Sequence, residues 1–153
     1  MPYDVNGRPV RDPLLRRLAR RRSEDLTPRH PGLVPVAESD DDAAASSAVL
    51  DGSAGFVADA QSVLWHLLEL PPTEVDRVLD LVGQDRYERV QVPEADAVRA
   101  TADDAEATEL VAVARVQTVD AMHVSQERSR MAGVTARHGG HALLWRVLQV
   151  ATQ

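Results

Sequence analysis

The chain of 153 residues contains neither cysteine nor lysine. The absence of cysteine excludes disulfides, thiolate nucleophiles and thiolate metal sites. The absence of lysine excludes Schiff-base chemistry and the lysine of a Walker phosphate loop. All 17 basic residues are therefore arginine, and they stand against 24 acidic residues, which gives a formal net charge of -7.

Aromatic residues are also scarce, at 3% of the chain. The interior must therefore be built largely from leucine, valine and alanine, and the length suits one core of ordinary size. No apolar run reaches the roughly 18 residues that a membrane-spanning helix requires, and no apolar segment follows the first arginines as in a signal peptide. We therefore expect no membrane span, and a location in the cytoplasm or in a particle assembled there.

Charge is distributed unevenly along the chain. Residues 1–30 hold eight arginines against four acids, a net of +4, and the remainder holds nine arginines against 20 acids, a net of -11. These two parts should attract one another, either within one chain or between neighbouring chains.

The basic part contains the pattern of a helix start, with Asp12 as the N-cap and Pro13 at the first helical position. Leucines on one side and arginines around the rest predict a basic amphipathic helix. Its candidate partner-binding residues are Leu14, Arg16, Arg17, Leu18, Arg20 and Arg21. Three partners stay open for this arm: an acidic protein surface, nucleic acid bound through residues 12–22, or an anionic membrane.

The rest of the chain is interpreted as mainly α. Residues 1–52 are expected to form the basic arm and a flexible linker rich in Pro, Ser, Ala and Asp, and residues 53–153 a small helical domain. Within that domain the apolar spacing predicts a helical hairpin over 56–83, a long helix over 95–131 and a last helix over 141–151. Residues 86–92 favour a short β element or an extended connector into Pro93. Helix and strand both remain open for 109–119, where β-branched residues alternate.

The last of these segments, HALLWRVLQVATQ, is apolar on nearly every side, because only Arg146 and Gln149 interrupt it between residues 142 and 151. A helix that is apolar all round is buried, and this one is too short to span a bilayer. It should therefore lie at the centre of its own domain or insert into a partner. Leu144, Trp145 and Leu148 are its candidate partner-binding residues.

Two further patterns suggest chemistry, but each has a simpler structural explanation. His138, His141, His123 and Glu127 could form a zinc set on paper, yet Gly139 and Gly140 more simply make a turn that two histidines flank. We therefore expect no metal and no cofactor.

Asp59, Ser62 and His66 suggest a catalytic triad, but neighbours along one helix rarely adopt triad geometry. The hairpin over 56–83 also suggests a helix-turn-helix, but its second helix is acidic and would be repelled by phosphates. We therefore expect no catalytic residues and no DNA readout by this hairpin.

Together these patterns predict a non-enzymatic structural or adaptor subunit that makes protein-protein contacts in a larger assembly or oligomer. Interlocking arms are common in large symmetric assemblies, so a component of a phage virion or a similar particle is a specific form of this prediction. The alternative is a nucleic-acid-associated regulatory protein that uses the arginine-rich arm.

Overall fold

A computed structural model of the chain describes residues 2–10, 26–100 and 107–151. Its centre is an antiparallel sheet of five strands in the order β1-β5-β2-β4-β3. The strands are β1 (Leu33–Ser39), β2 (Gln61–Leu70), β3 (Glu88–Val90), β4 (Glu109–Thr118) and β5 (His141–Val150). The α-helices are α1 (Ser46–Asp51), α2 (Val75–Gly83) and α3 (Ala121–Arg137), and 3₁₀ helices cover Pro72–Glu74 and Glu94–Arg99.

The order β2-α2-β3-β4-α3-β5 is that of the split βαβ, or ferredoxin-like, arrangement. The strand β1 extends this unit by pairing with β5 at one edge of the sheet. Its register shifts between Pro35 and Ala37, so the strand is irregular where it carries its proline. Because this architecture occurs with many unrelated activities, the fold alone does not identify a function.

The predicted mainly α fold, a small helical domain with a helical hairpin, a long helix and an apolar C-terminal helix, is therefore wrong. The segments expected to be helical over 56–70 and 141–151 contain β2, the central strand of the sheet, and β5, which pairs with it. Nine consecutive residues of β2 are buried, because side chains are covered on both faces of the sheet. A strand covered on both faces does not alternate between apolar and polar residues, and so it resembles a buried helix in sequence.

The predicted long helix over 95–131 is also wrong, since β4 occupies its middle and α3 begins only at Ala121. The open choice for 109–119 is resolved in favour of a strand. Two predicted elements are confirmed: α2 coincides with the second half of the predicted hairpin, and β3 lies within the β element expected over 86–92.

One face of the sheet, the helical face, is covered by the α-helices. Val75, Val78 and Val82 of α2 recur at helical spacing and pack with apolar residues of β2 and β4. The helix α3 begins at Asp120, whose side chain accepts a hydrogen bond from the His123 backbone N–H as an N-cap. Its residue Met131, fully buried, joins the same cluster as α2.

The opposite face is covered by extended segments. Tyr3, Leu26 and Leu33 pack with the buried residues of that face, which include Trp65 of β2. The Arg146 guanidinium lies 4.6 Å from the centre of the Trp65 ring. It is held there by two hydrogen bonds to Asp96, at 2.9 and 3.1 Å, and these bonds are the main reason that the pKa of Asp96 lies below its usual range.

The stretch expected to be a linker contributes structure to this fold. Residues 33–39 form β1, and residues 46–51 form α1, whose Leu50 packs with Trp145 and Val147. Whether residues 53–153 fold alone, as the predicted boundary at residue 52 implies, stays a prediction. The predicted arm helix lies outside the described residues. None of the helices that the structure describes is long and apolar enough to cross a membrane.

Candidate functional site

A cavity of about 470 Å³ lies on the helical face between α3 and β5, and we name it the α3–β5 cavity. One wall is the side of α3 that carries Arg128, Met131 and Thr135, and the other is β5 with Trp145. The turn after β1 borders it with Asp40 and Asp42. Its volume falls in the usual range of roughly 300–1,000 Å³ for sites that receive small molecules or side chains.

The turn between α3 and β5 forms one end of this cavity and requires two glycines. Gly139 has a backbone φ of +76°, in the left-handed region that other residues adopt only at a cost. Gly140 lies against the backbone of β2, so closely that a Cβ atom there would collide with the Glu69 carbonyl oxygen. These glycines place β5 directly beside β2 and thereby fix the position of the Trp145 strand.

Trp145 supplies a hydrogen-bond donor that nothing in the structure uses. The residue is 3% exposed, and its indole Nε1–H is the one buried side-chain polar atom without a hydrogen-bond partner among the described residues. A buried donor left unpaired costs about 1 to 3 kcal/mol. The Trp145 ring borders the α3–β5 cavity, but its Nε1–H has almost no exposed surface, so an acceptor reaches it only when the surrounding side chains move.

The Arg128 guanidinium is fixed beside the same indole. It lies 5.7 Å from the centre of the Trp145 ring. Its nitrogens donate to the Ala44 carbonyl at 2.8 Å, to Ser46 Oγ at 3.1 Å and to the Asp41 carbonyl at 3.2 Å. These bonds connect α3 to the turn between β1 and α1, so this wall is held rigidly.

Carboxylates border the α3–β5 cavity on the side of that turn. Residues 40–42 are three consecutive aspartates, and all three are exposed. Asp40 and Asp42 both border the cavity, and Asp40 also forms an ion pair with Arg99 at 3.0 Å. Apolar walls with an acidic border favour a ligand that combines an apolar group with a positive charge.

Beneath the α3–β5 cavity lies a buried polar network that reaches across α3. His66 of β2 borders the cavity, and its Nε2 lies 3.4 Å from the Tyr87 hydroxyl. That hydroxyl donates to Glu127 Oε2 at 3.0 Å, and Arg115 donates to Glu127 Oε1 at 2.9 Å. Arg115 also donates to Gln117 Oε1 at 2.7 Å. We name His66, Tyr87, Glu127, Arg115 and Gln117 the buried network.

The protonation of this network follows from its burial. Burial, together with the positive charges of Arg115 and Arg128, lowers the pKa of His66 to about 3. Burial also raises the pKa of Tyr87 well above its usual value, an effect that the neighbouring Glu127 increases. At neutral pH the imidazole is therefore uncharged and the phenol keeps its proton, while Arg115 and Glu127 form an ion pair.

The three predicted partner-binding residues of the C-terminal segment lie on β5, but not on one side of it. Trp145 faces the α3–β5 cavity. Leu144 also borders this cavity, but it packs, as Leu148 does, with the apolar cluster of the opposite face. Their role in partner binding stays a prediction. The other six predicted residues, Leu14, Arg16, Arg17, Leu18, Arg20 and Arg21, lie outside the described residues.

The four residues that suggested a zinc site in the sequence lie apart from one another. His138 Nδ1 lies 2.9 Å from Glu74 Oε2, His123 caps α3 with Asp120, and Glu127 belongs to the buried network. In the described ranges, no three histidines or carboxylates come together as a metal site would require.

The suggested triad is likewise not assembled. Ser62 Oγ donates to the Ala60 carbonyl and accepts from the Gln149 side chain, and Asp59 is exposed. His66 contacts Tyr87 rather than a serine.

Sequence reasoning missed the residues of α3 and the buried network. From the sequence, Met131 is predicted only as the end of a long helix, and His66 is considered only as a member of a triad. One signal was present: a histidine and a glutamate within otherwise apolar segments indicate buried polar groups that need partners. Those partners come from different elements of the fold, so the sequence does not reveal them.

Comparison of the chain with protein-family models, with curated proteins and with solved structures returns no match.

Proposed function

We propose that the protein is a non-enzymatic assembly subunit, in which a basic, leucine-containing arm of one copy docks in the α3–β5 cavity of a neighbouring copy. The single observation that carries this proposal is the cavity itself, whose lining combines apolar side chains of α3 and β5 with the carboxylates of Asp40 and Asp42. An arm that inserts a leucine there brings apolar surface to the walls, and a shift of the surrounding side chains would bring its backbone carbonyls to the buried indole Nε1–H.

The chemistry of the cavity supports binding rather than a reaction. His66 is the titratable ring at its base, and a group with a pKa of about 3 is a weak base at neutral pH. The Thr135 hydroxyl, which also borders the cavity, donates to the Met131 carbonyl at 2.7 Å within its own helix. A hydroxyl bonded in this way has no base beside it that would activate it as a nucleophile.

The arm proposed as the occupant is residues 12–22 of the same sequence. This stretch combines leucines with arginines, and it carries the positive charge that the acidic remainder of the chain lacks. Arginines would pair with carboxylates at the border, including Asp42, while a leucine fills the apolar space. The arm therefore offers both halves of the chemistry that the cavity favours.

A second copy is a better source of the arm than the same chain. The segments on both sides of the arm are attached to the opposite face of the sheet. The Tyr3 backbone N–H donates to Gln61 Oε1 at 2.7 Å, and Leu26 packs in the apolar cluster of that face. An arm that starts and ends on one face reaches the other face most directly on a neighbouring molecule, which makes the contact a route to an oligomer.

A synthetic peptide of residues 10–26, added to the full chain labelled with ¹⁵N, tests the proposal. The chain has two tryptophans, Trp145 in the cavity and Trp65 on the opposite face, so their indole N–H resonances form an internal control. Saturable movement of the Trp145 resonance alone is the expected result. A peptide with Leu14, Leu15 and Leu18 changed to Ser is the matched control and should leave both resonances in place.

The mass of the full chain in solution gives a second test. Changing Arg16, Arg17, Arg20 and Arg21 to Gln should shift the chain from oligomer towards monomer in sedimentation equilibrium. If the unaltered chain is monomeric up to millimolar concentration, or if the peptide leaves the Trp145 resonance unchanged, the proposal is wrong.

A particle role and the nucleic-acid alternative both stay predictions. The alternative differs from arm docking in its dependence on salt, because release of counterions from phosphates weakens nucleic-acid binding steeply as salt rises. A duplex oligonucleotide that binds the chain through the arm, and competes with the peptide, would favour the alternative.

A further inference from the structure

A second cavity, of about 380 Å³, lies on the other side of α3 and has the opposite chemistry. Four arginines border it: Arg8, Arg86, Arg115 and Arg130. The amides of Asn6 and Gln84 add further donors, and Asp85 is the single carboxylate that borders it among the described residues. We name it the arginine cavity. In a chain with a net charge of -7, such a concentration of guanidinium groups calls for an explanation.

Ion pairing accounts for two of the four arginines. Arg115 and Arg130 both contact Glu127, and Arg130 also pairs with Asp85. Arg86 donates to the Gly7 carbonyl at 3.1 Å. Within the part of the chain that the structure describes, neither Arg8 nor Arg86 has a carboxylate at ion-pair distance. Apart from the Arg86 bond to Gly7, the guanidinium groups of Arg8 and Arg86 donate to no other group among the described residues, which leaves N–H donors for a ligand.

Arg115 gives this cavity a rigid base. It is 3% exposed, and its guanidinium is fixed by Gln117, by Glu127 and by the Asp85 carbonyl at 3.1 Å. These three bonds use three of its five N–H donors. A buried guanidinium that is already oriented loses little conformational entropy when it binds an anion.

The backbone on both sides of the cavity is held in an unusual conformation. Arg86 has a φ of +68°, a left-handed conformation that costs a residue with a Cβ about 1 kcal/mol or more. Glycine would remove that cost at this turn after α2, but it would also remove a guanidinium. Gly7 has a φ of +70°, and a Cβ there would lie 2.9 Å from Arg115 Cδ. The backbone at Gly7 therefore packs directly against the Arg115 side chain.

We propose that the arginine cavity binds a compact phosphate-class oxyanion, such as inorganic phosphate or diphosphate. Guanidinium groups that meet from several directions suit an anion with oxygens on several sides, and their paired N–H groups match phosphate oxygens. The cavity is small, and the chain as a whole is acidic, with a net charge of -7. This overall negative charge would repel the extended phosphate backbone of a nucleic acid, whereas a compact anion stays within the cavity.

The site shares no ligand contact with the proposed arm docking, so either proposal can fail without the other. Titration of the full chain with inorganic phosphate and with diphosphate, in a buffer free of phosphate and at constant ionic strength, is the test. Calorimetry should show saturable binding, and the amide resonances of residues 6–8 and 84–86 should move. No saturable binding up to about 10 mM would overturn the proposal.

Variants of the unpaired arginines locate the site. Arg86→Gln and Arg8→Gln should each weaken diphosphate binding about tenfold or more, because each removes charged donors to the anion. Arg77→Gln, on the exposed surface of α2, is the matched control and should leave the affinity unchanged. Melting temperatures of all three variants establish that they fold. Equal losses in Arg77→Gln and Arg86→Gln would indicate unspecific attraction and contradict the proposal.

Two other anions separate the possible sources of the ligand. Malonate carries two carboxylates, and binding as tight as that of diphosphate would show that the cavity does not favour phosphate. A single-stranded oligonucleotide should bind more weakly than diphosphate. Tighter oligonucleotide binding that depends on Arg86 would show that the phosphate belongs to a nucleic acid, and the compact ligand proposed here would be wrong.

Discussion

The two sides of α3 differ in every property that decides what can bind there. On the β5 side the walls are apolar, the border is acidic and the indole donor of Trp145 is unpaired. On the α2 side Arg86 and Arg130 are among four arginines around a small polar cavity. Since successive residues of an α-helix are turned by about 100°, Arg128 and Arg130 lie on opposite sides although one residue separates them. A single helix can therefore present two recognition chemistries within a few residues.

The buried network connects these two sides beneath the helix. His66 borders one cavity, and Arg115 borders the other. Glu127 lies between them and contacts both Tyr87 and Arg115. The two cavities therefore share the buried network that lies beneath α3. A change in this network should affect both cavities, whereas a change in one wall should affect one cavity alone.

The largest effect is expected from Glu127→Ala, which removes the carboxylate that both sides share. Arg115 would keep a buried positive charge without its partner, and the Tyr87 hydroxyl would lose its acceptor. Removing one partner of a buried ion pair typically costs about 3 to 5 kcal/mol, so the free energy of unfolding should fall by that amount. Urea denaturation at pH 7 measures it.

The double variant Glu127→Leu with Arg115→Met is the control for that loss. It replaces both charges by apolar groups of similar size, and it should be more stable than Glu127→Ala. A loss below about 1 kcal/mol in Glu127→Ala would mean that the pair does not hold the two sides together.

A smaller loss of stability is expected at low pH, and it arises from the protonation of His66. The pKa of His66 is about 3 in the folded chain and about 6.5 when unfolded. Below about pH 6.5 the unfolded chain therefore binds a proton that the folded chain refuses. The folded chain keeps its full stability above that pH. Its free energy of unfolding then decreases as the pH falls towards 3, by about 2 kcal/mol at pH 5.

The variant His66→Gln, which does not titrate, isolates this contribution. Its free energy of unfolding should fall less than that of the unaltered chain between pH 7 and pH 5, by about 2 kcal/mol. Parallel stability curves for the two proteins over this window would show that His66 is protonated in the folded chain as readily as in water.

The smallest effect on stability is expected from Trp145→Phe, which changes only the β5 side. The variant loses part of a buried ring, which costs stability, but it also loses the unpaired Nε1–H, whose burial is itself unfavourable. These effects oppose one another, so the free energy of unfolding should change by no more than about 1 kcal/mol. Binding of the peptide of residues 10–26 should nevertheless weaken.

Trp65→Phe, on the opposite face of the sheet, is the matched control for peptide binding and should not weaken it. Diphosphate binding in the arginine cavity should be unchanged in both tryptophan variants. If Trp145→Phe binds the peptide normally, the indole N–H is not the donor for the arm.

The contrast between α2 and β5 explains how much of this fold the sequence predicts. Val75, Val78 and Val82 recur on one side of α2 because only that side is buried, and the spacing predicts the helix correctly. In β5 both faces are buried, so Leu144 and Trp145 stand next to each other without a polar residue between them. Burial of this segment could be predicted, but a strand and a helix could not be distinguished there.

The candidate sites were less predictable than the fold. The buried network joins His66 of β2, Arg115 of β4 and Glu127 of α3, and they meet only because β2 pairs with β4 and α3 packs over the sheet. The arginines of the arginine cavity are isolated in sequence, whereas the visible arginine cluster lies in the arm. Trp145 was selected as a binding residue for its size, but its unpaired donor follows from the packing around it.

The two edge strands of the sheet determine how readily this protein aggregates at high concentration. An exposed strand edge offers unpaired backbone groups on which another strand can add, which is the first step of many fibrous aggregates. Here β1 carries Pro35 at the irregular point of its register, and β3 at the other edge is only three residues long. The Arg29 side chain also donates to the Arg89 carbonyl of β3 at 2.5 Å. Both edges of the sheet are thus poor templates for strand addition. We therefore expect the chain to remain free of amyloid at high concentration.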